Sequence, residues 1–162
     1  MTWASALVAT AMTVWGAAAV ALSIADLRTR LLPTKLIWPT AALVWVLYSG
    51  ASLLRGEVDG LLGALAGALV GSAPVLLIHL LHPPSMGFGD VRFCVLNGLV
   101  CGWWGWHVAL LGVTASFLAA LPEAVVMMAR QGIRASRPLG PYLALGTAAA
   151  AIWSAATSGF VP

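Results

Sequence analysis

The chain has 162 residues, of which 61% are hydrophobic and 8% charged, and its formal net charge is +3. Soluble domains carry about 25% charged residues, so this composition excludes an ordinary water-soluble globule and predicts that lipid is much of its solvent. Nothing in the charge distribution resembles a nucleic-acid surface, and we expect no nucleic-acid partner.

Six apolar runs divide the chain, and a run of about 20 residues spans a bilayer as a helix. They predict an all-α, polytopic membrane protein with six transmembrane helices, in a single domain over residues 1–162. The first run is too long for the core of a signal peptide and lacks a preceding positive residue, so we interpret it as a retained helix. The predicted helices cover residues 3–25, 36–54, 61–81, 91–104, 107–129 and 139–158.

The basic residues lie almost entirely in one set of loops between these helices, and Arg55 alone lies in the other set. Because cytoplasmic loops carry the excess of Lys and Arg, we expect an inner or plasma membrane protein with both termini outside. Glu57 and Asp59 would then lie in a solvated outer loop. The residues of the cytoplasmic set are Arg28, Arg30, Lys35, Arg92, Arg130, Arg134 and Arg137.

Two of the five acidic residues lie at the predicted cytoplasmic edge. Asp26 opens a polar, basic loop at residues 26–35, and Asp90 ends a glycine-rich turn at residues 86–90. Two aspartates can activate water when one, ionised, takes its proton and the other, protonated, donates to the scissile carbonyl. Like charges at close range cannot both ionise, so such a pair shares one proton. The pattern indicates a membrane aspartyl protease that needs no metal or cofactor.

Each aspartate also has a purely structural interpretation. Asp26 would terminate a helix and pair with Arg28 or Arg30. Asp90 would cap the fourth helix, because a carboxylate satisfies the free amides at a helix start. A third carboxylate, Glu123, follows Pro122 inside the fifth run, where we expect pairing with a cytoplasmic arginine.

Small residues recur at every fourth position in two of the predicted helices. Such spacing lets helix backbones approach closely in lipid, so it predicts packing faces. Asn97 is unusually polar for its depth in the fourth run. The small residues are Gly63, Gly67 and Gly71 in the third helix and Gly98 and Gly102 in the fourth.

The motifs around both aspartates resemble those of the type IV prepilin peptidases, which are membrane aspartyl proteases with a Gly-x-Gly-Asp motif. Thr34 and Arg92 stand where the family usually has Asn and Lys. The segments that carry the resemblance are Asp26-Leu27-Arg28-Thr29-Arg30-Leu31-Leu32-Pro33, Gly87-Phe88-Gly89-Asp90-Val91-Arg92 and Arg137-Pro138-Leu139-Gly140-Pro141-Tyr142-Leu143-Ala144-Leu145-Gly146.

The resemblance implies roles for individual residues. Asp26 and Asp90 would be catalytic, and Gly87, Gly89 and Arg92 would support the catalytic loop. Substrate or anionic lipid would contact a further set, which consists of Arg28, Arg30, Lys35 and Pro141.

The resemblance also implies the substrate, a prepilin or pseudopilin of a type IV pilus or protein-secretion system, cleaved on the cytoplasmic side. Many bacterial members carry an additional N-terminal region with a cysteine-rich loop and also methylate the new N-terminus. The sequence shows no such region, so we expect peptidase activity only.

Two alternatives remain open at the level of sequence. Presenilin-type Gly-x-Gly-Asp proteases place a Tyr-Asp inside the partner helix, whereas here Ala25-Asp26 lies at an edge. A six-helix transporter or assembly scaffold without enzymatic activity is the alternative of another class, although transporters tend to show internal repeats and helices broken at the midplane. A scaffold should tolerate Asn at both aspartates.

Overall fold

The computed structural model describes residues 2–82, 86–131 and 138–157, without the side chains of residues 128, 130 and 131. Within these ranges the chain forms six α-helices and no strand, which confirms the all-α class and the expected number of helices. The helices are α1 (Trp3–Thr29), α2 (Thr34–Arg55), α3 (Asp59–Leu81), α4 (Phe88–Gly102), α5 (Trp106–Gln131) and α6 (Gly140–Thr157).

Four helices in the described part of the chain, α1, α2, α3 and α5, are long and apolar enough to cross a membrane. With 15 and 18 residues, α4 and α6 are the two shortest. That all six helices span the bilayer therefore stays a prediction.

The end of α1 differs from the prediction, which stopped the helix at residue 25. The helix continues to Thr29, so Asp26 and Arg28 are helical and do not lie in a loop. Its charged edge contains neither proline nor glycine, so nothing interrupts the hydrogen-bond ladder there. Arg30 ends the helix in the left-handed conformation, with φ 55°, and its N–H donates to the carbonyl of Asp26 at 2.8 Å. The connection to α2 is consequently only four residues long.

The start of α4 was also predicted wrongly, at residue 91. Gly87 is the extended residue before the helix, which begins at Phe88, so Asp90 lies in the first helical turn. The glycine-rich turn is therefore shorter than expected. The other helix ends lie within two residues of the prediction, and Asp59 opens α3 where a loop was expected. A carboxylate is favourable at that helix N-terminus.

The predicted packing faces of α3 and α4 are confirmed. A Cβ atom added to Gly67 would lie 2.6 Å from the Cα of Gly102 and 2.5 Å from the carbonyl oxygen of Gly98. Gly63 meets the Gly102 carbonyl oxygen in the same way, and Gly71 lies more loosely against Gly98. Only glycine permits this backbone contact, which fixes α4 against α3 along its length.

A buried polar side chain joins three helices in the core. Asn97 of α4 is 2% exposed; its Oδ1 accepts from Trp15 Nε1 in α1 at 2.9 Å, and its Nδ2 donates to the Leu143 carbonyl in α6 at 3.3 Å. A buried amide is costly unless its hydrogen-bonding groups are paired, and here both are used. Asn97 therefore ties together α1, α4 and α6, the helices that carry the site below.

Candidate active site

Asp26 lies in the last turn of α1 and is 5% exposed. Its Oδ2 accepts a hydrogen bond of 2.7 Å from the backbone N–H of Gly140, the first residue of α6. In the described part of the chain no ion pair joins Asp26 to Arg28 or Arg30, which is the pairing that the structural interpretation requires. The partner of this carboxylate is thus the positive end of another helix.

Asp90 lies in the first turn of α4 and is half-buried, and its backbone N–H donates to the Gly87 carbonyl at 3.1 Å. The start of α4 approaches the α1–α2 connection closely. A Cβ atom on Gly89 would lie 3.0 Å from the Cβ of Leu32, so a larger residue would crowd this contact. The approach brings the turn that carries Asp90 against the chain that directly follows Asp26.

The Asp26 carboxylate acts electrostatically on Asp90. Burial, which is the larger cause, and the nearby Asp26 carboxylate raise the pKa of Asp90 from 3.8 to about 6, against the lowering effect of a hydrogen bond from the Gly87 backbone. A carboxyl group with such a pKa can hold or release a proton near neutral pH, as a general acid or base must. We call the end of the helix bundle that contains both residues the carboxylate end.

Arg92 supports the turn of Asp90 in a way that the sequence did not indicate. Its Nη1 donates to the hydroxyl of Thr34, the first residue of α2, at 2.6 Å, and its guanidinium lies 4.6 Å from the centre of the Phe88 ring. These contacts connect the starts of α4 and α2. Thr34 and Arg92, the two positions at which the sequence departs from the family pattern, are thus hydrogen-bonded to each other.

A histidine holds the chain just before the Gly-x-Gly-Asp motif. His79, in the last turn of α3, donates through Nδ1 to the Met86 carbonyl at 2.8 Å, and its ring lies 5.4 Å from the Phe88 ring. The contact spans the segment between α3 and α4. It therefore restrains the residue that directly precedes Gly87.

The basic residues predicted to contact substrate or lipid do not converge on the carboxylates. Arg28, Arg30 and Lys35 are exposed, and Pro141 is partly buried in the first turn of α6. Arg134 and Arg137 lie outside the described residues. The exposed basic side chains add positive charge to the surface of the carboxylate end, whereas the two aspartates are buried or half-buried.

Sequence reasoning missed Gly140 as a site residue. A Cβ atom there would lie 2.9 Å from Asp26 Oδ2 and 3.1 Å from its Cβ, so any larger residue collides with the carboxylate. Its segment was part of the motif comparison, but every residue except proline has a backbone N–H, so a sequence pattern cannot identify this donor. The adjacent Pro141 was selected instead.

A cavity of about 110 Å³ lies at the other end of the bundle, lined by Ser52, Arg55, Glu57, Asp59, Gly60 and Trp103. The 22 residues of α2 separate that cavity from the carboxylate end, a distance of about 33 Å at 1.5 Å per residue. The cavity is therefore not part of the site described here.

Fold and site together define a helical membrane protein with two coupled carboxylates at one end of its bundle. The model of the type IV leader peptidase family matches residues 11–127, which is most of the chain and includes both aspartates. The chain belongs to this family. That membership agrees with the resemblance found in the motifs.

Curated proteins of the same kind are similar to the chain over most of its length. It is 30% identical over 144 residues to a prepilin leader peptidase/N-methyltransferase of Stutzerimonas stutzeri, covering 86% of this chain and 47% of that protein. The corresponding protein of Escherichia coli strain K12 is 32% identical, covering 78% of this chain and 55% of its own length. The chain thus spans about half the length of these bifunctional relatives.

A shorter relative is matched over a larger share of its own length. The leader peptidase HopD of Escherichia coli is 31% identical over 130 residues, which cover 74% of this chain and 77% of that protein. No solved structure matches the chain significantly.

Proposed function

We propose that this protein is an aspartic endopeptidase that removes the leader of prepilin-like or pseudopilin substrates, with Asp26 and Asp90 as its catalytic pair. The observation that carries the proposal is the position of these two buried or half-buried carboxylates at one end of the bundle, where the turn that carries Asp90 packs against the chain that follows Asp26. Family membership and the names of the relatives support the reaction and the substrate class.

The proposed mechanism uses a water molecule between the two carboxyl groups. Asp26 accepts the N–H of Gly140, an arrangement that suits an ionised acceptor, so it takes the proton from water. In this assignment Asp90, whose pKa is raised to about 6, holds the shared proton and donates it to the oxygen of the scissile carbonyl. The water oxygen bonds to the carbonyl carbon. Collapse of the resulting tetrahedral intermediate breaks the C–N bond, returns a hydroxyl proton to Asp90 and passes the proton held by Asp26 to the leaving amine.

The carboxylate end is proposed to face the cytoplasm. Lys and Arg concentrate in the connections at this end, and Arg55 alone lies at the other, as expected for a cytoplasmic face. A short basic leader would then reach the aspartates from the cytoplasm while the hydrophobic helix behind it stays in the bilayer. The cut would fall between them, after a glycine as in the family.

Cleavage of a defined substrate tests the function. The full chain in liposomes is incubated with a synthetic prepilin, a basic leader ending in glycine joined to an apolar helix of about 20 residues. We expect Asp26→Asn and Asp90→Asn each to lower the cleavage rate by about 10²–10⁴-fold at equal expression. Asp59→Asn, which neutralises an exposed carboxylate at the other end, is the matched control and should cleave normally. Near-normal cleavage by either catalytic variant would falsify the pair and favour the scaffold.

Accessibility labelling tests the orientation. Cys94 and Cys101 are buried, so new cysteines can be read against a low background. Glu57→Cys should react with an impermeant maleimide from outside the cell, and Lys35→Cys only after the membrane is opened. The reverse pattern would contradict the proposed topology.

A further inference from the structure

The first turn of α6 belongs to the site because Gly140 donates to Asp26, and a second contact in the same turn fixes where that donor lies. Tyr142, two residues after Gly140, donates its hydroxyl proton to Glu123 Oε2 in α5. Both side chains are partly buried. The bond joins α5 to α6 at the carboxylate end.

Glu123 is a carboxylate inside an apolar helix that is long enough to cross a membrane. Such a group is costly in lipid unless it is paired, and it commonly marks a functional position. Its Oε2 receives the Tyr142 hydroxyl, and the side chains of Arg130, Arg134 and Arg137, among which an arginine partner was expected, lie outside the described part of the chain. Nothing in the catalytic proposal uses Glu123 directly.

The start of α6 needs a restraint of this kind. A helix start is held weakly by its own hydrogen bonds, since its first four N–H groups have no partner within the helix. Deeper in the bundle, α6 is held by the Asn97 contact to the Leu143 carbonyl, one turn after Gly140. The Tyr142–Glu123 bond adds a lateral anchor to α5 at the turn itself, within one helical turn of the N–H that meets Asp26.

We propose that Glu123 and Tyr142 form a positioning pair that sets the first turn of α6 so that the Gly140 N–H meets the Asp26 carboxylate. The inference rests on the proposed function, because it assigns the pair to the orientation of a catalytic group. Both residues act through the Gly140 N–H in this proposal, so they are positioning residues. Their loss should act on turnover more than on substrate binding.

The two tyrosines of the chain provide a matched experiment. Tyr48 also donates its hydroxyl to a helix, to the Val100 carbonyl at 3.1 Å, but it lies toward the other end of α2. Tyr142→Phe and Tyr48→Phe each delete one hydroxyl and keep the ring. We expect Tyr142→Phe to lower kcat on the synthetic prepilin by about 10- to 100-fold, with KM changed less than about twofold, because small misplacements of catalytic groups have effects of this size. Tyr48→Phe should retain kcat while its melting temperature falls.

Two variants of Glu123 separate positioning from general packing. Glu123→Gln keeps an acceptor oxygen for the Tyr142 hydroxyl and should rescue kcat to within about threefold of the wild type, whereas Glu123→Leu should match Tyr142→Phe. These two variants also decide the question if Tyr142→Phe does not fold. Wild-type kcat in Glu123→Leu, or equal losses in the two tyrosine variants, would overturn the proposal.

Hydrogen exchange gives a readout that does not depend on activity. The Gly140 amide is protected by its bond to Asp26, so its exchange should accelerate at least tenfold in Tyr142→Phe and stay unchanged in Tyr48→Phe. Unchanged protection in Tyr142→Phe refutes the positioning role even if the synthetic prepilin is cleaved by no variant. Failure of cleavage by the wild type, with the exchange difference present, refutes the proposed function alone.

Discussion

Replacement of Gly140 by alanine tests the contact between α6 and Asp26 with a single methyl group. The new Cβ would lie 2.9 Å from Asp26 Oδ2 and within 3.3 Å of two further atoms of that side chain, so either the carboxylate or the helix start must move. The 2.7 Å hydrogen bond from the Gly140 N–H is then lengthened or broken.

The size of the effect follows from the bond that is lost. A hydrogen bond to a charged group contributes about 1.5–3 kcal/mol. If this stabilisation is lost while Asp26 acts as the base, kcat falls by about 10- to 150-fold, since 1.36 kcal/mol corresponds to a factor of ten in rate. KM should change little, because Gly140 is not proposed to contact the substrate.

The assay compares Gly140→Ala with Gly16→Ala in the synthetic prepilin reaction. Gly16 lies within α1, and a Cβ there would meet no atom within 4 Å, so the control adds the same methyl group to open space. Gly16→Ala should cleave at the wild-type rate and be at least as stable. If Gly140→Ala retains more than half of the wild-type kcat with an unchanged melting temperature, the Gly140–Asp26 contact has no role in turnover and the reasoning is wrong.

Three other predictions concern stability. The pKa of Asp90 is raised from 3.8 to about 6 in the fold, so the folded state binds more protons than the unfolded state. Its stability therefore falls as pH rises from about 4 through about 6. Asp90→Asn should remove this loss, and its melting temperature should exceed that of the wild type at pH 7.5 and equal it near pH 4. Asn97→Leu leaves the Trp15 indole N–H without its acceptor and should lower the free energy of unfolding by about 1–3 kcal/mol in a denaturant titration, a result contradicted by an unchanged midpoint. Gly67→Val places side-chain atoms in the backbone contact with Gly98 and should prevent accumulation of folded protein in the membrane, whereas wild-type levels would show that α3 and α4 can separate without cost.

Much of the fold could be read from the sequence because it depends on local properties. The length of each apolar run indicated a helix, and the recurrence of glycine at every fourth position indicated which faces of α3 and α4 meet. The helix boundaries were predicted less accurately. Charges at the end of α1 suggested a loop, but charge alone does not end a helix, and the chain continues until Arg30 adopts a left-handed conformation before Pro33.

The sequence indicated the two carboxylates and, through the motif resemblance, Gly87, Gly89 and Arg92 beside them, but not the partners that these residues contact. Asp26 and Asp90 were conspicuous because acidic residues are rare in this chain, and their motifs could be compared with a family. Their surroundings depend on groups far away in sequence. Gly140 lies 114 residues from Asp26, and Thr34 lies 58 residues from Arg92.

The sequence by itself determined that this protein has six helices, that lipid is much of its environment and that Asp26 and Asp90 lie near helix ends. These features follow from hydrophobicity and from the spacing of residues that are close together in the sequence. Only the tertiary structure decided that Asp26 meets the first turn of α6 and that Glu123 meets Tyr142. Such contacts involve a backbone N–H or a choice among several polar partners, and the packing of helices in space selects them.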